Sequence, residues 1–179
     1  MSRNTPSDRQ GFTLIELLVV IAVIGLISSV VLASINRARG KARDARRRGD
    51  LQQISKALEF YFNDKNAYPL TCPSGAATCA ASVLEWWGNC SSYGSHGTSG
   101  SNGWVPNLAP QYIPVLPLDP RANGTFGCYL YKSNGTDYKI LAYKTTESVC
   151  PVPGSDSLYD PQRGGQCTFA IFTPGYQGQ

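Results

Sequence analysis

Histidine is nearly absent from this 179-residue chain, which has His96 alone. One imidazole leaves little room for histidine-based catalysis or for a mixed Cys/His zinc site. The six cysteines, Cys72, Cys79, Cys90, Cys128, Cys150 and Cys167, include no Cys-x-x-Cys pair. That argues against a zinc ribbon or a thioredoxin-like centre and favours disulfides, which belong to an oxidising exterior. Six cysteines allow fifteen complete pairings, and spacing chooses none of them. Charge is sparse at 16% of residues, and the net +4 is local: residues 1–35 sum to zero, 36–50 to +5, and 51–179 to −1. A basic domain surface for nucleic acid is therefore not implied.

Proline is missing from residues 7–68, and within that span residues 12–35, FTLIELLVVIAVIGLISSVVLASI, carry the single charge of Glu16. As a helix this segment reaches about 36 Å, enough to cross about 30 Å of hydrocarbon. No small-residue A-x-A-like site follows it, so it does not read as an ordinary secretory signal. The punctuation lies before the run: a short polar stretch, Met1–Gly11, joins it through Gly11-Phe12-Thr13-Leu14-Ile15-Glu16. An ionisable Glu16 within a membrane helix costs about 2.5–3.5 kcal/mol near the centre, so it needs a partner or must snorkel to the interface.

Gly-Phe-Thr-Leu-Ile-Glu followed by about twenty apolar residues resembles the class III signal of type IV prepilins and type II secretion pseudopilins. The resemblance implies that prepilin peptidase cleaves between Gly11 and Phe12 on the cytoplasmic face and that Phe12 is then N-methylated. Glycine suits such a cut, because without a Cβ it resists continuing the helix into the leader. Cleavage frees the Phe12 amine, which can pair with Glu16 on one helix or between subunits. By resemblance, the pairing between subunits guides assembly. A bare positive-inside count opposes this orientation: Arg3 and Arg9 precede the span, whereas Arg37, Arg39, Lys41, Arg43, Arg46, Arg47 and Arg48 follow it. The cysteines and the cleavage signature outweigh that count and place residues 69–179 outside the cytoplasm.

Beyond the span, Ala, Arg, Lys, Leu and Gln sustain helix to about residue 62. Two stripes emerge at 100° per residue. Ala38, Ala42, Ala45 and Gly49 lie on one side; Leu51, Ile54, Leu58 and Phe62 lie nearly opposite. The large stripe is expected to pack on the C-terminal domain. The small one either lets neighbouring helices approach or simply sits in solvent. The run RARGKARDARRR lacks interleaved aromatics and has Asp44 and Asp50 at pairable spacings. It reads as a solvated or intersubunit salt-bridging face, with DNA contact secondary.

The C-terminal part is rich in Gly, Ser, Cys and Pro. The pattern predicts a short helix over 80–87, a polar loop over 88–103, and strands over 126–132 and 138–143 around Asn134-Gly135, with a third strand over 167–173. The fold class expected is α+β. A long N-terminal helix, membrane-spanning in its first half and amphipathic in its second, packs on a small disulfide-stabilised antiparallel sheet. The segments are a leader (1–11), a transmembrane or filament-core helix (12–35), its amphipathic continuation (36–68) and an extracytoplasmic globular domain (69–179). Trp86, Trp87 and Trp104 are either core or an exposed platform for a ligand.

Residues 41–69 and the segment Leu116-Pro117-Leu118-Asp119-Pro120 are similar to major G-type pseudopilins and related pilins. The resemblance also implies a Cys150–Cys167 clasp, as in the C-terminal loop of many type IV pilins. The acidic calcium loop of that class is not matched, since this chain has only Asp156 and Asp160 nearby. Separated aspartates usually form turns, so calcium stays a secondary option and no cofactor or metal ligand is assigned.

The resemblance implies a structural subunit, not an enzyme. It is inserted in the cytoplasmic membrane with its N-terminus inside, and polymerised with copies of itself into an extracytoplasmic pilus or pseudopilus by an assembly platform and ATPase. The alternative is a membrane-anchored glycan- or DNA-binding module that does not polymerise.

Overall fold

A computed structural model of the chain describes residues 12–72, 85–124 and 127–176. They divide into two compact units, Met1–Arg39 and Gly40–Gln179. Helix α1, Leu14–Lys65, contributes to both. It stops where Asn66 turns left-handed at φ 54° while its amide donates to the Phe62 carbonyl at 2.7 Å. Asparagine tolerates that conformation, and Pro69 follows shortly after.

In the first unit every Phe, Leu, Ile and Val of residues 12–35 is exposed, from 92% at Phe12 to 40% at Ile35. The helix meets the length and hydropathy requirements for a membrane span, with a mean hydropathy of 2.8 over its most apolar window. The Ser29 hydroxyl donates to the Leu26 carbonyl at 2.8 Å and so needs no outside partner.

The second unit packs the rest of α1 against a four-stranded antiparallel sheet in the order β1 (Trp87–Gly88), β2 (Cys128–Ser133), β3 (Tyr138–Tyr143), β4 (Phe169–Phe172). Alternation along the strands sorts the side chains onto two faces. Tyr129, Tyr131, Tyr138, Ile140, Ala142 and Phe169 join Leu51, Ile54 and Leu58 of the helix in the main core, whereas Leu130, Leu141 and Ala170 form a smaller cluster on the other face. The large helical stripe is buried as expected, except that Phe62 is only partly covered and packs on Tyr68, ring centroids 4.7 Å apart. At the β2–β3 turn Asn134 Oδ1 accepts from the amides of Thr136 and Asp137, and Gly135 supplies a φ of 90°.

The sheet has one strand that was not expected. Trp87 lies in strand β1, not in a helix: Trp87 and Gly88 pair with Tyr131 and Leu130 at the sheet edge, an alignment that two residues cannot announce by periodicity. Residues 80–84 of the expected helix, and Phe126 of the expected strand, lie outside the described residues. The loop after Gly88 is tied down by a Cys90–Cys128 disulfide, by the His96 ring stacked on Trp87 at 3.9 Å, and by pairing of Gly97 with Gly103. Trp87 and Trp104 are buried, so core is the correct reading for both.

The second disulfide is Cys150–Cys167, the pairing expected by resemblance. Cys72 is also disulfide-bonded, and Cys79 lies outside the described residues.

The two helix stripes predict opposite responses to substitution. Leu58→Ala should cost about 2–5 kcal/mol through a core cavity. Gly49→Ala, on the exposed side with nothing within 4 Å of the added methyl, should stabilise by roughly 0.5–1 kcal/mol. Denaturant unfolding of the two variants in detergent checks both signs.

Candidate assembly site and ionic clasp

The helix start is built as a capping box. Thr13 sits just outside α1, its amide and hydroxyl both donate to Glu16 Oε2 at 2.8 Å, and the Glu16 amide donates back to Thr13 Oγ1 at 3.3 Å. Glu16 therefore has a local partner that the sequence reading overlooked, although Thr-x-x-Glu ahead of an apolar run is the signature of this cap. Phe12 lies exposed beside it, and Gly11 lies outside the described residues. While the chain is uncut, Phe12 has no free amine and the threonine holds the carboxylate. The three side chains that matter here, Phe12, Thr13 and Glu16, are thus exposed at one end of the helix.

The Arg-rich run does something different from what was expected. Arg47 is fully buried, and one edge of its guanidinium grips Asp119 bidentately, Nε to Oδ2 at 2.6 Å and Nη2 to Oδ1 at 3.0 Å. The remaining nitrogen, Nη1, donates to Asp44 at 2.7 Å and to Glu147 at 3.0 Å. Arg43 makes a second bidentate contact with Glu147 at 2.7 and 2.6 Å, and Arg121 adds a third cation to it at 3.2 Å. Asp44 faces the loop after β3, where the amides of Glu147 and Ser148 and the Ser148 hydroxyl all donate to it. Arg48 binds Asp156.

The expectation of a solvated or intersubunit salt-bridging face is thereby corrected for Arg43, Arg47 and Arg48. They pair within the chain because the helix face that carries them is the face turned to the domain. A buried arginine is tolerable only when every nitrogen is paired, and here each one is. Arg37, Arg39, Lys41 and Arg46 remain exposed.

Asp119 and Tyr112 define a strap. Tyr112 donates to Asp64 at 3.0 Å and packs on Tyr61, while Asp119 sits on Arg47. From Asp64 back to Arg47 the helix advances about 25 Å, a distance that the chain from Tyr112 to Asp119 covers when nearly extended. The Leu-Pro-x-Asp-Pro segment thus runs antiparallel along the helix and ends on its buried arginine. Cys150–Cys167 and the Thr146 amide, which donates to the Cys167 carbonyl, fix the loop that carries Glu147.

The electrostatics follow from these contacts. Hydrogen bonds from Arg43 hold Glu147 down at about 2 against a modest burial penalty. Burial pushes Asp44 up, but donors from Ser148, Glu147 and Arg47 outweigh it and leave the carboxyl below its ordinary value. Arg48 holds Asp156 down as well.

The aspartates considered for calcium are already engaged. Asp156 is on Arg48, and Asp160 is 3.0 Å from Lys139 and 3.3 Å from Arg163. Among the described residues no group of three or more His, Cys, Asp or Glu is placed to hold a metal ion.

The chain is similar in sequence to known proteins. Residues 6–32 match the family model of the prokaryotic N-terminal methylation motif. The chain is 35% identical over 134 residues to the type II secretion system core protein G of Klebsiella pneumoniae, 75% of each chain. It is 30% identical over 139 residues to that of Escherichia coli, 73% of this chain and 85% of the relative. To the type IV wide pilus major component of Thermus thermophilus it is 41% identical over 61 residues, 34% of this chain and 47% of the relative. Several other core proteins G are likewise matched over less than half of their length. No solved structure matches.

The clasp makes two predictions. Arg47→Ala strands buried carboxylates and should cost about 3–5 kcal/mol, whereas Arg48→Ala, at a partly exposed pair that also caps the Phe169 ring, should cost about 1–2 kcal/mol. Urea midpoints of the two variants compare them. Because Glu147, Asp44 and Asp156 have folded values below their unfolded ones, their contribution is complete above about pH 4.5 and is lost as pH falls toward 2. The melting temperature should hold between pH 7 and 5 and drop across that lower window; an unchanged midpoint at pH 3 would contradict the clasp.

Proposed function

Because the chain belongs to the type IV pilin and type II secretion pseudopilin family, in which it is a structural subunit and not an enzyme, we propose that it is matured and polymerised through its N-terminal helix. Prepilin peptidase removes residues 1–11 by cutting between Gly11 and Phe12, and the new Phe12 amine is methylated. The subunit waits in the cytoplasmic membrane with its N-terminus inside and residues 69–179 outside. A platform and ATPase of the pilus or type II secretion type then draw it into a filament of its own copies.

One observation carries this reading: every large apolar side chain over 12–35 is exposed, on a helix whose first turn is already capped. Lipid satisfies that surface before assembly. Equivalent helices satisfy it afterwards. Glu16 has two roles in sequence. Thr13 holds it before the cut; after the cut the amine of Phe12, on the same helix or a neighbour, is a charged partner stronger than a hydroxyl.

Glu16→Leu should therefore leave cleavage and methylation intact, since the bond cut lies outside the cap, while incorporation into sheared filaments falls at least tenfold. Mass spectrometry of the mature N-terminus and immunoblots of the sheared fraction read the two steps separately. Normal incorporation of the variant would sink the pairing role.

A further inference from the structure

The face of the sheet turned away from α1 concentrates cations. Lys132 of β2 lies directly opposite Lys139 of β3, a like-charge cross-strand pair that ordinarily destabilises a sheet. Each is drawn over an aromatic ring, Lys132 over Trp86 at 5.9 Å and Lys139 over Phe172 at 5.1 Å. Arg163 covers Trp86 as well, at 5.1 Å, and Lys144 lies 5.0 Å from the centre of Tyr143, whose edge meets Tyr93. Lys139 is fully buried on the equally buried Asp160, which Arg163 also approaches at 3.3 Å, and the exposed Glu85 is a carboxylate at the rim, so the cations open to solvent are Lys132, Lys144 and Arg163. Among the described residues neither Lys132 nor Lys144 takes part in a salt bridge. Next to them opens a hollow of about 400 Å³ lined by Glu85, Trp86, Ser92, Tyr93, Gly94 and His96.

Rings hold these charged heads in place, so little side-chain entropy remains to be lost when an anion arrives. The same capping removes the free ring faces on which nucleobases stack, and without stacking a single-stranded nucleic acid has only its phosphates to offer. A uronate sugar asks for something else: a cation for its carboxylate, and hydroxyl partners such as Ser92, Glu85 and His96 beside it. We propose that this outer face of the sheet, centred on Lys132, Lys144 and Arg163, binds an acidic polysaccharide of the uronate type. The proposal is independent of filament formation, since it concerns the folded unit alone.

The test measures binding of the full chain in detergent to polygalacturonate, with neutral dextran and oligothymidylate as comparators. The expected result is saturable binding to polygalacturonate that weakens at least tenfold in the Lys132→Gln/Lys144→Gln double variant, with the melting temperature unchanged. An Arg37→Gln/Arg39→Gln variant, which removes as much charge from the exposed helix, should bind like the wild type. Equal weakening by both pairs would reduce the effect to net charge and overturn the proposal. So would oligothymidylate or dextran binding as tightly, or no polygalacturonate binding at all.

Discussion

An apolar helix surface left exposed among the described residues is the constraint on which the remainder rests. The first unit exposes all its large aliphatic side chains along residues 12–35. At about 25 cal/mol per Å² of apolar surface, leaving such a helix in water is untenable. Membrane and filament are two ways of meeting the same requirement, and the polar backbone groups are satisfied in both because the segment is helical. The capping box at Thr13 and Glu16 serves that requirement too, by closing the helix start without outside partners.

The folded unit answers a second requirement. A small loop-rich domain buries little core, and here ionic contacts and disulfides tie its long connections to the helix. Arg47 gathers three carboxylates from the helix, the strap and the loop after β3. Removing one partner would leave buried charge behind. The contacts are therefore best understood as registering the strap and loop on the helix, a role for which buried ion pairs are better suited than for net stability.

Much of this was legible beforehand for physical reasons that differ from residue to residue. Leu51, Ile54 and Leu58 declared themselves by helical periodicity, and β2 and β3 by aromatic and aliphatic runs that flank an Asn-Gly turn. Cys150–Cys167 came from family resemblance, not from spacing. The role of Arg47 was hidden because an arginine among arginines looks solvated. Asp44 was at pairable spacing and Asp119 stood in a recognisable Leu-Pro-x-Asp-Pro segment, but no local pattern joins Asp119 or Glu147 to Arg47 across the intervening chain. Two-residue β1 was unreadable because pairing with β2, not its own pattern, creates it. Thr13 is readable as a cap from Thr-x-x-Glu, a signature embedded in the same six residues that form the cleavage motif.

Helical reconstruction, using electron cryo-microscopy, of filaments assembled from this chain in its source cells tests most directly whether the apolar helix forms the filament core. The expected result is a core of close-packed Phe12–Ile35 helices, with density beginning at Phe12 and the sheet-bearing units outside. Filaments whose core is built from another segment, or a chain recovered only as dispersed molecules that retain residues 1–11, would contradict it.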